Sequence, residues 1–404
     1  MVARGGLQQM PHPINCAIKS AIGRLPSPPR APTTAFRMSE TPHPARAKPR
    51  VAYLVLGMHR SGTSAVTQLL ALAGATLPAN VMPGDEHNAK GYFEPWKIAI
   101  FNDERLRAAG SAWDDPFAYP FRELPADESA AWRDRAGALF DEEFPGARFP
   151  LMKDPRATVL LPMWRPVLEA RGVSARCVIP VRHPLAVAAS LRRRDGFAPE
   201  KSVLVWSAYM LAAEAYTRDL PRAFVSYDAL LADWRAETRR IEAAHGAALP
   251  KLTEAAARRI DKFLTPDLRH NAGDAGLSAL GWAGEIAQEV FDAFEGRAVG
   301  GEPDRSRLDA AAAKVARRAR EVGILVSPAI RELADARAEV LDLRQRLASA
   351  EALQAELRAA MARERTILEA GWRTDVQRLD KVVGDQVNTL AKVSAALDAA
   401  LSDD

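Results

Sequence analysis

A chain of 404 residues that is 48% hydrophobic can bury one α/β core of about 200 to 250 residues and still carry further segments. Its formal charge of +4 is unevenly placed, because Met1 to Arg50 hold eight Lys or Arg against the single acid Glu40, so the rest of the chain carries −3. The isoelectric point of about 9.1 therefore describes a basic tail rather than a basic body, and no nucleic-acid partner is expected. Two cysteines, Cys16 and Cys177, are too few for a disulfide framework or a cysteine-based zinc site. No apolar run approaches the ~18 residues needed to span a bilayer, and the first turns of the chain lack a signal-peptide stretch, so a soluble, cytoplasmic protein without a transmembrane segment is expected.

Residues 1–49 contain nine prolines, scattered arginines and no hydrophobic period. Such a stretch cannot offset its ordering entropy by burial, and it reads as a disordered Pro/Arg-rich tail, with a targeting or docking arm as the alternative. From Val51 the pattern changes. "VAYLVLG" is a short apolar, β-branched run ending in glycine, as expected of a strand buried on both faces, and "GTSAVTQLLALAG" reads as a helix closed by Gly74, with Val66, Leu69, Leu70 and Ala73 on one face. A second strand–turn–helix unit lies in "ARCVIPVRHPLAVAASLRRRDG", with a strand over Cys177 to Val181 and Pro184 in the first turn of the helix. Pro180 inside that strand predicts a bulge or a strand end. A helical stretch follows over Lys201 to Asp219, and Ala223 to Ser226 read as a third strand with Tyr227 at its carboxyl end. Repeated units of this kind predict an α/β domain over residues 50–325, a three-layer parallel sheet flanked by helices.

Beyond Pro328 there is no further proline, and apolar residues recur at alternating spacings of three and four from Leu333 through Val340 and Leu347 to Leu368. Gln354 and Glu364 interrupt the seam, and after Gly371 it slips by one residue and resumes at Trp372. This predicts a coiled coil over residues 328–404 that serves a homo-oligomer or a helical partner; the alternative is an amphipathic helix folded back on the domain.

The stretch "GMHRSGTS" has the spacing of a phosphate-binding loop, G-x-x-x-x-G-K-[ST], but Thr63 stands where the lysine would be. A helix starting near Gly62 offers free N–H groups and a positive dipole end to a phosphate whatever the side chains are, and Ser61, Thr63 and Ser64 add hydroxyls. Arg60 can reach the same anion from the loop side. A nucleotide triphosphatase would also need an acid at a strand end for magnesium. The second strand delivers Arg182 instead, with Ser190 eight residues on, which favours a second anion site and no metal.

These residues carry a resemblance. "HRSGTS" resembles the 5′-phosphosulfate loop of sulfotransferases, and "VRHPLAVAASL" their 3′-phosphate motif, while "NAKGYFE", "LMKDPR" and "SYDALL" resemble blocks of the bacterial carbohydrate-type branch. The resemblance spans roughly Val51 to His270. It implies a P-loop-like three-layer α/β fold, 3′-phosphoadenosine 5′-phosphosulfate (PAPS) as donor and transfer of a sulfuryl group to an alcohol or amine, with a glycan hydroxyl as the expected acceptor. His59 through Ser64, Arg182, Ser190 and Tyr227 are then the expected nucleotide-binding residues. Arg60 is the expected cation at the bridging oxygen, and Lys153 a second cation, with an ion pair to Asp154 as its alternative role. Among the acids, Glu94 is ranked first as the acceptor's base because "NAKGYFE" ends on it, then Glu86 in "GDEHN", then His87. Arg156 is a candidate brace for the loop, "LRHN" at 268–271 a candidate closure over the nucleotide, and Trp96, Trp113 and Trp206 are sugar-stacking candidates. The rival readings are a P-loop kinase, disfavoured by the missing lysine and strand-end acid, and a nucleotide-binding scaffold whose coiled coil recruits partners.

Overall fold

The computed structural model describes residues 49–84, 91–264, 276–295 and 301–402. The apolar run Arg50–Val55 is strand β1, and helix α1 (Thr63–Leu72) follows it. Helices α2 (Trp96–Ala108) and α3 (Ala126–Glu143) precede β2 (Leu151–Lys153). After α4 (Arg156–Val159) and α5 (Leu161–Glu169) come β3 (Val173–Val181), α6 (Pro184–Asp195) and α7 (Pro199–Ala215). Strand β4 (Arg222–Ser226) leads into α8 (Tyr227–Ala232), α9 (Trp234–His245) and α10 (Glu254–Phe263), and α11 (Gly281–Glu295) and α12 (Arg305–Ser402) complete the order.

The four strands are parallel in the order β2-β1-β3-β4. Pleat alternation divides the core in two. Ala52 and Leu54 of β1, with Cys177 and Ile179 of β3, face a cluster that includes Phe101, Phe140, Trp164, Trp206 and Val290 from helices on one side. Tyr53 and Val55, with Val178 and Val225, face α1 and the α8–α10 side through Val66, Leu70, Leu230 and Ile241. Both faces of the sheet are therefore covered, which is the expected three-layer arrangement and explains why the strands read as continuous apolar runs. Because β2 and β3 lie on opposite sides of β1, the chain reverses its winding between β1 and β3, and the carboxyl ends of strands at such a switch point are where open α/β sheets bind ligands.

Pro180 neither bulges nor ends its strand. It pairs in register with Val225 in a β3 that runs through Val181, and β3 begins at Val173, earlier than its apolar part shows. The Val178 carbonyl accepts from Leu56 N–H, so residues 178 and 180 turn their backbone groups toward β1. At Pro180 β1 has already turned away into its loop, with Gly57 beside the proline, so the missing donor costs no ladder bond. Helix α7 likewise starts at Pro199, a proline at N1, and its helical run ends at Ala215 rather than Asp219.

Helix α12 carries Pro328 in its interior and spans 98 residues, a length of about 150 Å at 1.5 Å per residue. Its first part packs on the domain through buried Leu308, Ala311, Val315 and Ile330. From Leu333 to Leu397 its large apolar side chains are exposed apart from the half-buried Val376, Trp372 at 72% among them, so the seam has no partner helix among the described residues of this single chain. No helix among the described residues is long and apolar enough to cross a membrane.

Candidate functional site

The carboxyl ends of all four strands converge on one place. β1 runs into the loop Leu56–Gly62, β2 ends on Lys153, β3 hands over to Arg182, and β4 to Tyr227. Lys153 lies directly beside the end of β1, in register with Val55.

The loop is held by specific contacts. Gly57 has φ +116°, and its N–H donates to Thr158 Oγ1 at 2.8 Å, while the Thr158 hydroxyl lies 3.3 Å from the Gly57 carbonyl. Arg60 adopts φ +67°, a left-handed conformation that costs a non-glycine residue on the order of 1 kcal/mol and that clusters at ligand sites. Gly62, at φ +95°, has no freedom to be anything else: a Cβ there would lie 2.2 Å from Tyr227 Cδ2. No side chain caps the N-terminus of α1; the Ala65 N–H donates to the Gly62 carbonyl at 3.0 Å, and the N–H groups of Thr63 and Ser64 precede the first intrahelical bonds.

The glycine loop and the Arg182–Ser190 segment meet here across more than a hundred residues. Arg60 Nε donates to Ser190 Oγ at 2.8 Å, and Arg182 Nη1 donates to the Arg60 carbonyl at 2.9 Å. Arg182 lies with its guanidinium carbon 4.7 Å from the centre of the Tyr227 ring. Arg182 is only 8% exposed and makes no ion pair among the described residues. Burial lowers its pKa, and burial followed by the Arg194 charge lowers that of Arg60. Burial also pushes the Tyr227 hydroxyl up, which keeps it a neutral phenol. Ser61 Oγ and His59 Nε2 are buried without hydrogen-bond partners. Burial, and after it the charges of Arg156, Arg194, Lys153 and Arg60, hold His59 well below the usual imidazole range. Of these four cations, Lys153, Arg156 and Arg194 are each paired with a carboxylate. Thr63 is buried, and Ser64 Oγ lies 3.5 Å from the Tyr92 carbonyl.

Lys153 does not pair with Asp154. Its ammonium donates to Glu94 Oε1 at 2.5 Å and to the Tyr92 carbonyl at 2.9 Å, because Asp154 is taken by Arg156 Nη1 (2.8 Å) and Asn102 Nδ2 (2.7 Å). Glu94 is buried with its second oxygen 3.6 Å from Arg156, so both of its oxygens face cations. Arg156 braces this region, bonded also to Asp103 at 2.7 Å. Glu86, Asp85, His87 and the 268–271 segment lie outside the described residues. Of the tryptophans, Trp206 is fully buried, Trp96 is exposed on α2, and Trp113 is half-buried with its ring edge-on to His59 at 4.8 Å and stacked on Phe197 at 5.6 Å. Sequence reasoning missed Thr158 as the clamp on Gly57. A lone threonine in the apolar run after "KDPR" was its only signal.

The sequence matches no protein-family model, and no curated protein is significantly similar to it. Among solved structures, the chain is similar to the sulfotransferase domain from the Synechococcus PCC 7002 olefin synthase, at 17% identity and a TM-score of 0.37, over 62% of this chain and 97% of that one. It is also similar to a sulfotransferase from Mycobacterium tuberculosis H37Rv, at 13% identity and a TM-score of 0.34, over 60% of this chain and 77% of that one. Likenesses this distant leave the function to be argued from the site itself.

Proposed function

We propose that the protein transfers a sulfuryl group from PAPS to an acceptor hydroxyl, with a glycan as the acceptor class. The observation that carries this reading is the joined pair of anion motifs. A buried guanidinium with no carboxylate partner among the described residues, Arg182, sits against the loop whose buried Ser61 hydroxyl lacks a hydrogen-bond partner and whose following helix has no side-chain cap. Burying an arginine costs several kcal/mol unless an anion compensates it, and two phosphate-type groups at two adjacent sites would do so.

In this reading the N–H groups of the first turn of α1, with Ser61, Thr63 and Ser64, hold the 5′-phosphosulfate. Arg182 and Ser190 hold the 3′-phosphate. The Ser190 oxygen already accepts from Arg60, which leaves its own proton to donate. Tyr227 lies beside the adenosine, and His59 packs its ring against Trp113. Transfer is an in-line displacement: the acceptor oxygen bonds to sulfur as the bond from sulfur to the bridging phosphate oxygen breaks. Charge builds on that bridging oxygen, and Arg60 stabilises it there. Lys153 is the second cation, and the acceptor proton passes to a carboxylate, Glu94 or Glu86.

The test is binding of 3′-phosphoadenosine 5′-phosphate. A rise in thermal midpoint is expected for the native protein; no shift at millimolar nucleotide would remove the reading. Arg182→Ala is expected to weaken that binding and Arg60→Ala mainly to lower turnover with PAPS. Glu94→Gln and Glu86→Gln, assayed side by side, identify the base by which one loses turnover while still binding nucleotide.

A further inference from the structure

We infer that α12 pairs with α12 of a second copy of this chain as an antiparallel coiled coil whose two-fold axis lies beside Ala359. The observations are the exposed seam from Leu333 onward and the placement of its irregular residues. With Leu333, Val340, Leu347, Gln354, Met361 and Leu368 at a positions, the d positions are Ala336, Leu343, Ala350, Leu357 and Glu364. A parallel, in-register dimer sets every residue against its own copy. It would bury Glu364 against Glu364 and leave two alanine layers underfilled.

The antiparallel arrangement sets a against d and resolves each irregularity. About an axis beside Ala359, Gln354 faces the partner's Glu364, so the two residues that interrupt the seam form one hydrogen-bonded amide–carboxylate layer. Ala350 faces the partner's Leu368, small against large. The one-residue slip after Gly371 brings the partner's Trp372 opposite Leu347 and the partner's Leu379 opposite Val340, where without the slip Arg378 would enter the core. The flanks agree: Glu351 meets the partner's Arg365, Arg346 meets the partner's Asp375, and Leu353 covers the partner's Ile367, side chains that are 67% and 71% exposed in the single chain. Against these stand Arg358 facing its own copy and Arg344 facing the partner's Arg373. Three favourable flank contacts, each occurring twice, outweigh them, and the core layers decide the orientation.

The full chain with Cys16→Ser is the background for the test, Cys177 being buried with its thiol pushed up to about 12 and so inert to oxidation. Val340→Cys and Leu379→Cys are placed on exposed positions where they do not disturb the monomer fold. Sedimentation is expected to show a dimer. Under mild oxidation neither single variant is expected to cross-link alone, while an equimolar mixture gives a covalent dimer. Cross-linking of each variant with itself would mean a parallel pair and would overturn the inference, as would a monomer in sedimentation or a dimer that no mixture cross-links. Charge reversal gives an independent readout: Glu351→Arg should weaken the dimer about tenfold, and Arg365→Glu should restore it. Restoration by Arg346→Glu instead would place Glu351 in a parallel pair and refute the register.

Discussion

Gly62→Ala probes the point where the phosphate loop, α1 and Tyr227 meet. Two costs are separable. A residue with a Cβ at φ +95° loses about 1–2 kcal/mol to backbone strain. The new Cβ would also lie 2.2 and 2.7 Å from Tyr227 Cδ2 and Cε2, so the ring, only 6% exposed, must move and take its contact with Arg182 with it. Overpacking of a buried site adds about 1–3 kcal/mol, for a total near 2–5 kcal/mol. Gly246→Ala is the control, because Gly246 has φ +62° with nothing within 4 Å of the Cβ position and so incurs the strain alone. Equilibrium urea denaturation of both variants gives the clash as their difference. A cycle with Tyr227→Ala should return a coupling of about 1–3 kcal/mol, since the smaller residue frees the space. Equal losses for Gly62→Ala and Gly246→Ala, with zero coupling to Tyr227, would refute the close approach and with it the account of how Arg182 is positioned.

Three further outcomes are expected. His59 has a folded pKa below its ordinary value of 6.5, so its contribution to stability is complete above about pH 6.5 and is lost as the pH falls, when the unfolded chain takes up a proton that the folded one refuses. His59→Gln should therefore flatten the stability profile below about pH 6.5 by up to ~1.4 kcal/mol per pH unit, leaving the slope from the likewise depressed His183 and His245; an unchanged profile would contradict the burial of the ring. Lys153→Met should cost about 3–5 kcal/mol in urea unfolding, because it leaves Glu94 buried with only Arg156 at 3.6 Å, and adding Glu94→Gln should recover at least ~1 kcal/mol. In a Cys16→Ser background, Cys177 should resist thiol reagents in the native protein and react on addition of denaturant, as its buried thiol at about 12 implies.

Much of this architecture was legible in the chain. The runs ending at Gly57, Val181 and Ser226 announce parallel strands because strands covered on both faces have no polar alternation to hide them, and here both faces are covered. The start of β3 was hidden for the opposite reason: Ser174 to Arg176 lie toward the solvent end of the sheet, where side chains need not be apolar. Pro180 misled because a proline's cost depends on whether its neighbour still has an acceptor to offer, and that is a property of where β1 ends. At the site, spacing alone paired Arg182 with Ser190, but no local rule distinguishes the carboxylate that Lys153 selects. The choice of Glu94 over Asp154 follows from Asn102 and Arg156, on elements far apart in sequence, having already claimed the aspartate.

The contact between the two motifs also says how the cation of the loop is positioned. In a phosphate loop that ends in lysine, the cation extends from the first turn of the helix and its position follows from the helix. Here the cation belongs to the loop itself, on a left-handed residue whose carbonyl is held by Arg182 and whose guanidinium is held by Ser190. Backbone and charge of Arg60 are thus each fixed by a residue of the other motif, 122 and 130 positions away. A displacement of a catalytic group by 1 Å costs up to about a hundredfold in rate. Loss of Arg182 should consequently depress turnover as well as nucleotide affinity, whereas loss of Arg60 leaves the Arg182 side chain in place against Tyr227 and spares affinity. On the proposed function, the asymmetry between those two variants, more than the size of either effect, is what an arginine standing in for the missing lysine and held from outside its loop would produce.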